Sequence, residues 1–209
     1  MGKKIRIAVA GVGNCASALI QGAHYYSKNP QDTIGLTAYD IAGYEPGDIE
    51  VVAAFDVADT KVGKDVSEAI YARPNNTITV ADVPRMGIPV QKGPTMDGIR
   101  RHLSQIVTVS KEPDVDVKKV LRDTGAEMLV NYLPVGSTQA VRYYATQALE
   151  PILAPPYEAT LLHVAPGSPL LLMHRVTYDQ NGRAFEHVKS LYRGDRYKFV
   201  TELHRKADR

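Results

Sequence analysis

Residues 4–17, KIRIAVAGVGNCAS, constrain the fold of this chain more than any other stretch. Ile5, Ile7, Val9 and Val12 frame an apolar run with no charge after Arg6, about the length of a buried strand. Gly11, Gly13 and Ala16 follow at the spacing G-x-G-x-x-A, and a helix-favouring apolar segment comes next. Strand, tight turn and helix in that order form the context in which this glycine spacing acts as a dinucleotide fingerprint. Gly11 permits the turn, Gly13 lets a pyrophosphate approach the backbone, and Ala16 lets helix and strand pack closely. The N–H groups at the helix start then face the phosphates.

The next segments fit a parallel α/β unit. Residues 16–26 read as a helix, stopped by Asn29-Pro30. Cys15, at the helix start, reads as a small packing residue beside a cofactor. Residues 31–48 are polar and glycine-rich and read as an excursion. IEVVAAFD, residues 49–56, is a second β-branched strand ending in Asp56. An acid at that position accepts ribose hydroxyls and repels a 2′-phosphate, which favours NAD over NADP. The spacing predicts a helix over 61–71, a turn at RPNNT (73–77), a helix over 99–109, a helix over 116–124, a buried strand over 126–133 and a helix from 139 to 149. Leu133–Ser137 would then lie at the carboxyl end of a parallel strand, where such sheets bind ligands.

The segments GVGNCASALIQG, AAFDVADTKVGKDVSEAI, NNTI, QKGPTMDGI and NYLPVGS together resemble the amino-terminal half of myo-inositol-1-phosphate synthase, in its shorter bacterial and archaeal form. The likeness spans residues 3–149. It implies an NAD-dependent isomerase fold that converts glucose 6-phosphate to inositol phosphate. It further implies NAD contacts at Gly11, Gly13, Asn14, Cys15, Ala16, Asp56, Asn76, Thr77, Leu133, Pro134, Gly136 and Ser137. The family's aldol chemistry depends on a later region, and no catalytic residue or metal ligand is singled out in this chain.

Composition changes at Glu150-Pro151, which predicts a boundary near Leu149: a Rossmann-like unit over 1–149 and a second segment over 150–209. A helix over 139–153 is expected to carry the junction. Residues 170–178 and 184–193 read as antiparallel strands around the Asn181-Gly182 hairpin signal. The stretch APGSPLLLMHRVTYDQNGRAFEHVKSLYRGDRYKFVTEL resembles the carboxy-terminal half of the UTRA domain, the effector-binding module of GntR-class transcription regulators. The resemblance implies a pocket for small, often phosphorylated, effectors. Arg175, Glu186, Ser190 and Tyr192 are the candidate ligand contacts, with a solvated polar face as the plainer reading.

The expected fold is therefore α/β: a Rossmann-like parallel sheet with helices, followed by a smaller antiparallel hairpin element. The arrangement looks like a chimera or fusion. NAD binding without catalysis is the expected property, with a non-catalytic sugar-phosphate effector module as the alternative. A net charge of +2 on 209 residues is too small to suggest a nucleic-acid surface. No run reaches the roughly 18 apolar residues of a membrane helix. One cysteine and a start without a signal-like apolar stretch suggest a cytoplasmic location. Small molecules are the expected partners, and homo-oligomerisation is left open.

Overall fold

The structure, a computed structural model, describes residues 4–99, 103–148, 151–178 and 184–193. The chain divides into two compact units, Met1–Ala148 and Leu149–Arg209.

In the first unit, β1 (Ile5–Ala10), β2 (Ile49–Asp56), β3 (Val90–Lys92) and β4 (Met128–Asn131) form one sheet in the order β3-β2-β1-β4. All three pairings are parallel. This is the order of one half of a doubly wound sheet with the first strand of the other half added. The two faces of β1 bury different sets. Ile7 and Val9 pack with Val51, Ala54, Val66, Ile70 and Val90, together with Ala16 and Ile20 of α1 (Asn14–Lys28). Ala8 and Ala10 pack with Phe55, Val117, Leu121 and Tyr144. These come from β2, from α3 (Val117–Asp123) and from α4 (Thr138–Ala148). A strand buried on both faces has no polar alternation, which is why β1 and β2 read as continuous apolar runs.

The excursion between α1 and β2 is tied back by tyrosines. Tyr25 donates to Asp32 Oδ2 at 2.7 Å, and Tyr26 donates to the Ile34 carbonyl at 2.6 Å. Gln21, fully buried, anchors a later stretch: its Oε1 accepts from Val80 N at 2.8 Å and its Nε2 donates to Ser17 Oγ at 2.9 Å.

Four expectations are corrected, the first being the buried strand expected over 126–133, which shortens to β4 and lies at the sheet edge with Met128 exposed. The helix expected over 61–71 shortens to α2 (Val66–Ala69). Gly63 has φ +84, and Asp65 caps α2 by accepting from Ser67 N, so the turn that carries Lys61 lies outside the helix. The helix expected over 99–109 is absent from its described part, which holds one 3₁₀ turn, Leu103–Gln105. Val107 N still closes that turn onto the Leu103 carbonyl, but β-branched Val109 bridges antiparallel to Ala58 instead: Asp59 N donates to the Thr108 carbonyl and Ser110 N to the Val57 carbonyl. The helix expected to carry the junction over 139–153 ends at Ala148, and Pro151–Leu153 forms β5. Pro151 removes a helical donor and is tolerated at the first position of a strand.

In the second unit, β5 pairs antiparallel with β6 (Pro169–Tyr178), and β6 with β7 (Ala184–Arg193), giving the order β5-β6-β7. The register shifts between Thr177 and Tyr178. A short helix, α5 (Pro156–Leu162), buries Ala159 with Ala154 and Leu170. The turn before β6 is closed by Gly167 N donating to the Ala154 carbonyl, with Gly167 at φ +80. The Asn181-Gly182 signal lies outside the described residues, although the pairing on both sides of it is antiparallel as expected.

Candidate functional site

A cavity of about 420 Å³ opens at the carboxyl ends of the four parallel strands. Gly11 and Gly13 reach it from the turn after β1, Asp56 and Val57 from the end of β2, Pro94 and Thr95 from beyond β3, and Tyr132 to Pro134 from beyond β4. Open α/β sheets place ligands at this end.

The two glycines do different work. Gly11 has φ +90, and a Cβ there would stand 2.8 Å from the Tyr132 carbonyl oxygen. Its constraint comes from the neighbouring chain. At Gly13 a Cβ would meet nothing within 4 Å. That open space faces the cavity, so glycine there is not required by protein packing. Gly13 is also the N-cap of α1, with no side-chain cap and no acidic residue in the first turn. The helix start is left available to an anion.

Asp56 is bound into this turn. Its Oδ2 accepts from Val12 N at 2.8 Å, and its Oδ1 accepts from Val57 N at 2.7 Å and Ala58 N at 2.9 Å. A carboxylate has about four acceptor directions, so these three bonds leave one on Oδ2 of a residue that lines the cavity. Lys61, only 4% exposed, donates to the Val12 carbonyl and to Asn75 Oδ1, each at 2.8 Å, and stands 3.8 Å from Asp56 Oδ2. Burial pushes the Lys61 pKa down, and the Asp56 charge pulls it partly back. Asn75 closes the arrangement by donating to the Val12 and Ile70 carbonyls.

The NNT turn is clamped to the start of α1. Asn14 Oδ1 accepts from Asn76 N at 2.9 Å and from Thr77 Oγ1 at 2.8 Å, and Asn14 Nδ2 donates to Asn76 Oδ1 at 2.7 Å. Of the residues expected from sequence, Gly11, Gly13, Asn14, Cys15, Asp56, Asn76, Leu133 and Pro134 line the cavity. Ala16 is buried in the core beneath it, as close helix–strand packing requires. Thr77 acts through Asn14. Gly136 and Ser137 lie outside the lining: Gly136 has φ +94, and Ser137, buried, leads into α4. The α4 start is capped from within the protein, where the Asp97 carboxylate accepts from Gln139 N and Ala140 N at 2.9 and 3.0 Å.

Sequence reasoning missed Lys61, Asn75, Tyr144 and the apolar wall of Ile99, Leu103, Ile106 and Val107. The doubled asparagine of RPNNT was a usable signal for Asn75. Nothing local marked the others.

In the second unit, the backbone register sets Arg175 opposite Val188, Glu186 opposite Thr177, Ser190 opposite Met173 and Tyr192 opposite Leu171. Among the described residues, no group of His, Cys, Asp and Glu is placed to hold a metal ion, and no helix is long and apolar enough to cross a membrane.

Fold and cavity together define a Rossmann-like α/β unit, joined to a smaller antiparallel one. The first is similar to inositol-3-phosphate synthases. The protein of that name from Mycolicibacterium smegmatis is 48% identical over 149 residues, which is 70% of this chain and 41% of that protein. The crystal structure of Ari2 superposes with a TM-score of 0.58 at 34% identity, covering 70% of this chain and 44% of that one. The UTRA domain family matches residues 137–198. The transcriptional repressor NagR of Bacillus subtilis is 56% identical over 61 residues, 29% of this chain and 25% of that protein. The chain thus spans about two fifths of the synthase it matches and continues into a UTRA-type segment, a fusion-like architecture. The UTRA match begins upstream of the expected residue 150 and takes in α4.

Proposed function

We propose that the first unit binds a dinucleotide and that NAD is preferred over NADP. The observation that carries this reading is Gly13: its missing Cβ leaves an open cradle at an uncapped helix start, on the cavity that Asp56 also lines. The residues fit the group. The Gly13 backbone and α1 would take the pyrophosphate, and the free direction on Asp56 Oδ2 would take a ribose hydroxyl. The apolar wall of Ile99, Leu103, Ile106 and Val107 would cover the base. The similarity to inositol-3-phosphate synthases supports the same reading. When bound, the group supplies hydride chemistry; this chain's residues supply binding and orientation. Calorimetric titration with NAD and NADP tests the proposal, and equal affinity for the two would overturn the preference.

We further propose that the chain does not isomerise glucose 6-phosphate, because it turns to a UTRA-type segment where the synthase resemblance stops. The UTRA match favours a second property for the second unit, the binding of a small phosphorylated effector with Arg175, Glu186, Ser190 and Tyr192 as candidate contacts. Titration with sugar phosphates tests it separately from NAD.

A further inference from the structure

Tyr144 of α4 is 2% exposed, with its ring centroid 5.7 Å from that of Phe55 and 5.6 Å from that of Tyr143. A buried tyrosine hydroxyl ordinarily finds a hydrogen-bond partner. This one has none among the described residues, yet no buried polar side-chain atom among them is left unpartnered. The oxygen is therefore the part of the residue that reaches the cavity, which Tyr144 lines.

Gly93, just beyond β3, makes room for it. A Cβ on Gly93 would overlap the Tyr144 hydroxyl and stand 3.0 Å from its Cζ. Phenylalanine would fill the same core space between Phe55 and Tyr143. The hydroxyl adds nothing to that packing and requires a glycine beside it, which argues for a use in the cavity. Burial and then the Asp56 charge push its pKa above the ordinary value, so it is a protonated donor at neutral pH. Gly93 N donates to the Asp56 carbonyl at 3.2 Å, and Phe55 precedes Asp56 on β2, so the oxygen sits beside the strand end that carries Asp56.

Building on the dinucleotide reading, we infer that the Tyr144 hydroxyl, at the Asp56 end of the cavity, donates a hydrogen bond to the adenosine half of the bound ligand. The test is calorimetric titration of the full chain and its Tyr144→Phe variant with NAD and with ADP-ribose, plus the thermal midpoint of each protein without ligand. The variant should keep its midpoint and lose about 3- to 10-fold in affinity, the worth of one hydrogen bond. The loss should be equal for the two ligands, because they share the adenosine half. Unchanged affinities would overturn the inference, and a loss for NAD alone would overturn the adenosine assignment. A lowered midpoint would show the hydroxyl to be structural and overturn it too. A parent chain that binds neither ligand would overturn the dinucleotide reading itself, and this inference with it.

Discussion

The Asp56 carboxylate accepts a hydrogen bond from the Val12 backbone N–H at 2.8 Å, across 44 residues of chain. The acid at the end of β2 and the glycine turn after β1 are thereby one object, and the residue expected to meet the ribose also shapes the loop that would meet the phosphates.

Asp56→Ala should therefore do two things. It strips the acceptor from three backbone amides, which should lower stability by about 1–3 kcal/mol. It should also weaken NAD by about tenfold or more while narrowing the preference over NADP, since the repulsion of a 2′-phosphate goes with the charge. Chemical denaturation and paired titrations read the two effects. A native chain that binds both cofactors equally would remove the ribose role and leave the structural one.

Gly11→Ala and Gly13→Ala should separate fold from binding. The first forces a Cβ to 2.8 Å from the Tyr132 carbonyl oxygen at a φ of +90, so it should destabilise the unit by more than about 1 kcal/mol. The second places a methyl group in open space at φ −89, so stability should stay within about 0.5 kcal/mol. Dinucleotide affinity should nonetheless fall at least tenfold in Gly13→Ala. Retained NAD binding there would show that nothing approaches the Gly13 backbone.

Asp65 should give the first unit an acid-sensitive contribution. Burial pushes its carboxyl up, but the hydrogen bonds from the Ser67 hydroxyl and the amides of Met86 and Ser67 together outweigh that and hold it at about 2, below the ordinary 3.8. A depressed carboxylate stabilises the fold above its unfolded value and loses that contribution as pH falls toward the folded one. The stability gap between the parent chain and Asp65→Asn should thus be constant above about pH 5 and shrink between 3.8 and about 2. Urea denaturation at stepped pH measures it, and a gap that widens on acidification would contradict the assignment.

Purified chain, NAD and glucose 6-phosphate should yield inositol phosphate only at the level of a no-protein control. Each positioned acid or base contributes on the order of 10²–10⁴-fold, and the synthase resemblance stops before the region on which the family's aldol step depends. Another copy of the same chain supplies nothing further. Turnover at rates typical of enzymes would mean that the segment after α4 has been misread.

What was legible in the sequence was local. The strand–turn–helix at Gly11 and Gly13 needs only adjacent residues, and β2 falls at Ile49–Asp56 as read, with Asp56 at its end. Residues 61–71 misled because Val62, Val66 and Ile70 do keep a helical spacing, while Gly63 and the Asp65 cap break the helix between them. Lys61 was invisible because its role is set by the Val12 carbonyl, 49 residues earlier. Tyr144 was hidden for a like reason: in sequence it is one aromatic on an amphipathic helix, and only the fold brings it beside Gly93 and Phe55. The shared helix expected at the junction ran past Pro151, a residue in plain view that a helix interior does not accept and that opens β5.

Among the described residues, Tyr144 is the last to line the cavity, and the first unit ends four residues later at Ala148. Every described group that builds the cavity is therefore encoded within the first unit. A recombination breakpoint placed there cuts no hydrogen bond of the glycine turn, of Asp56 or of the Asn14–Asn76 clamp. The cavity is in that sense a portable part, one that can be passed to a new downstream neighbour with its wall intact.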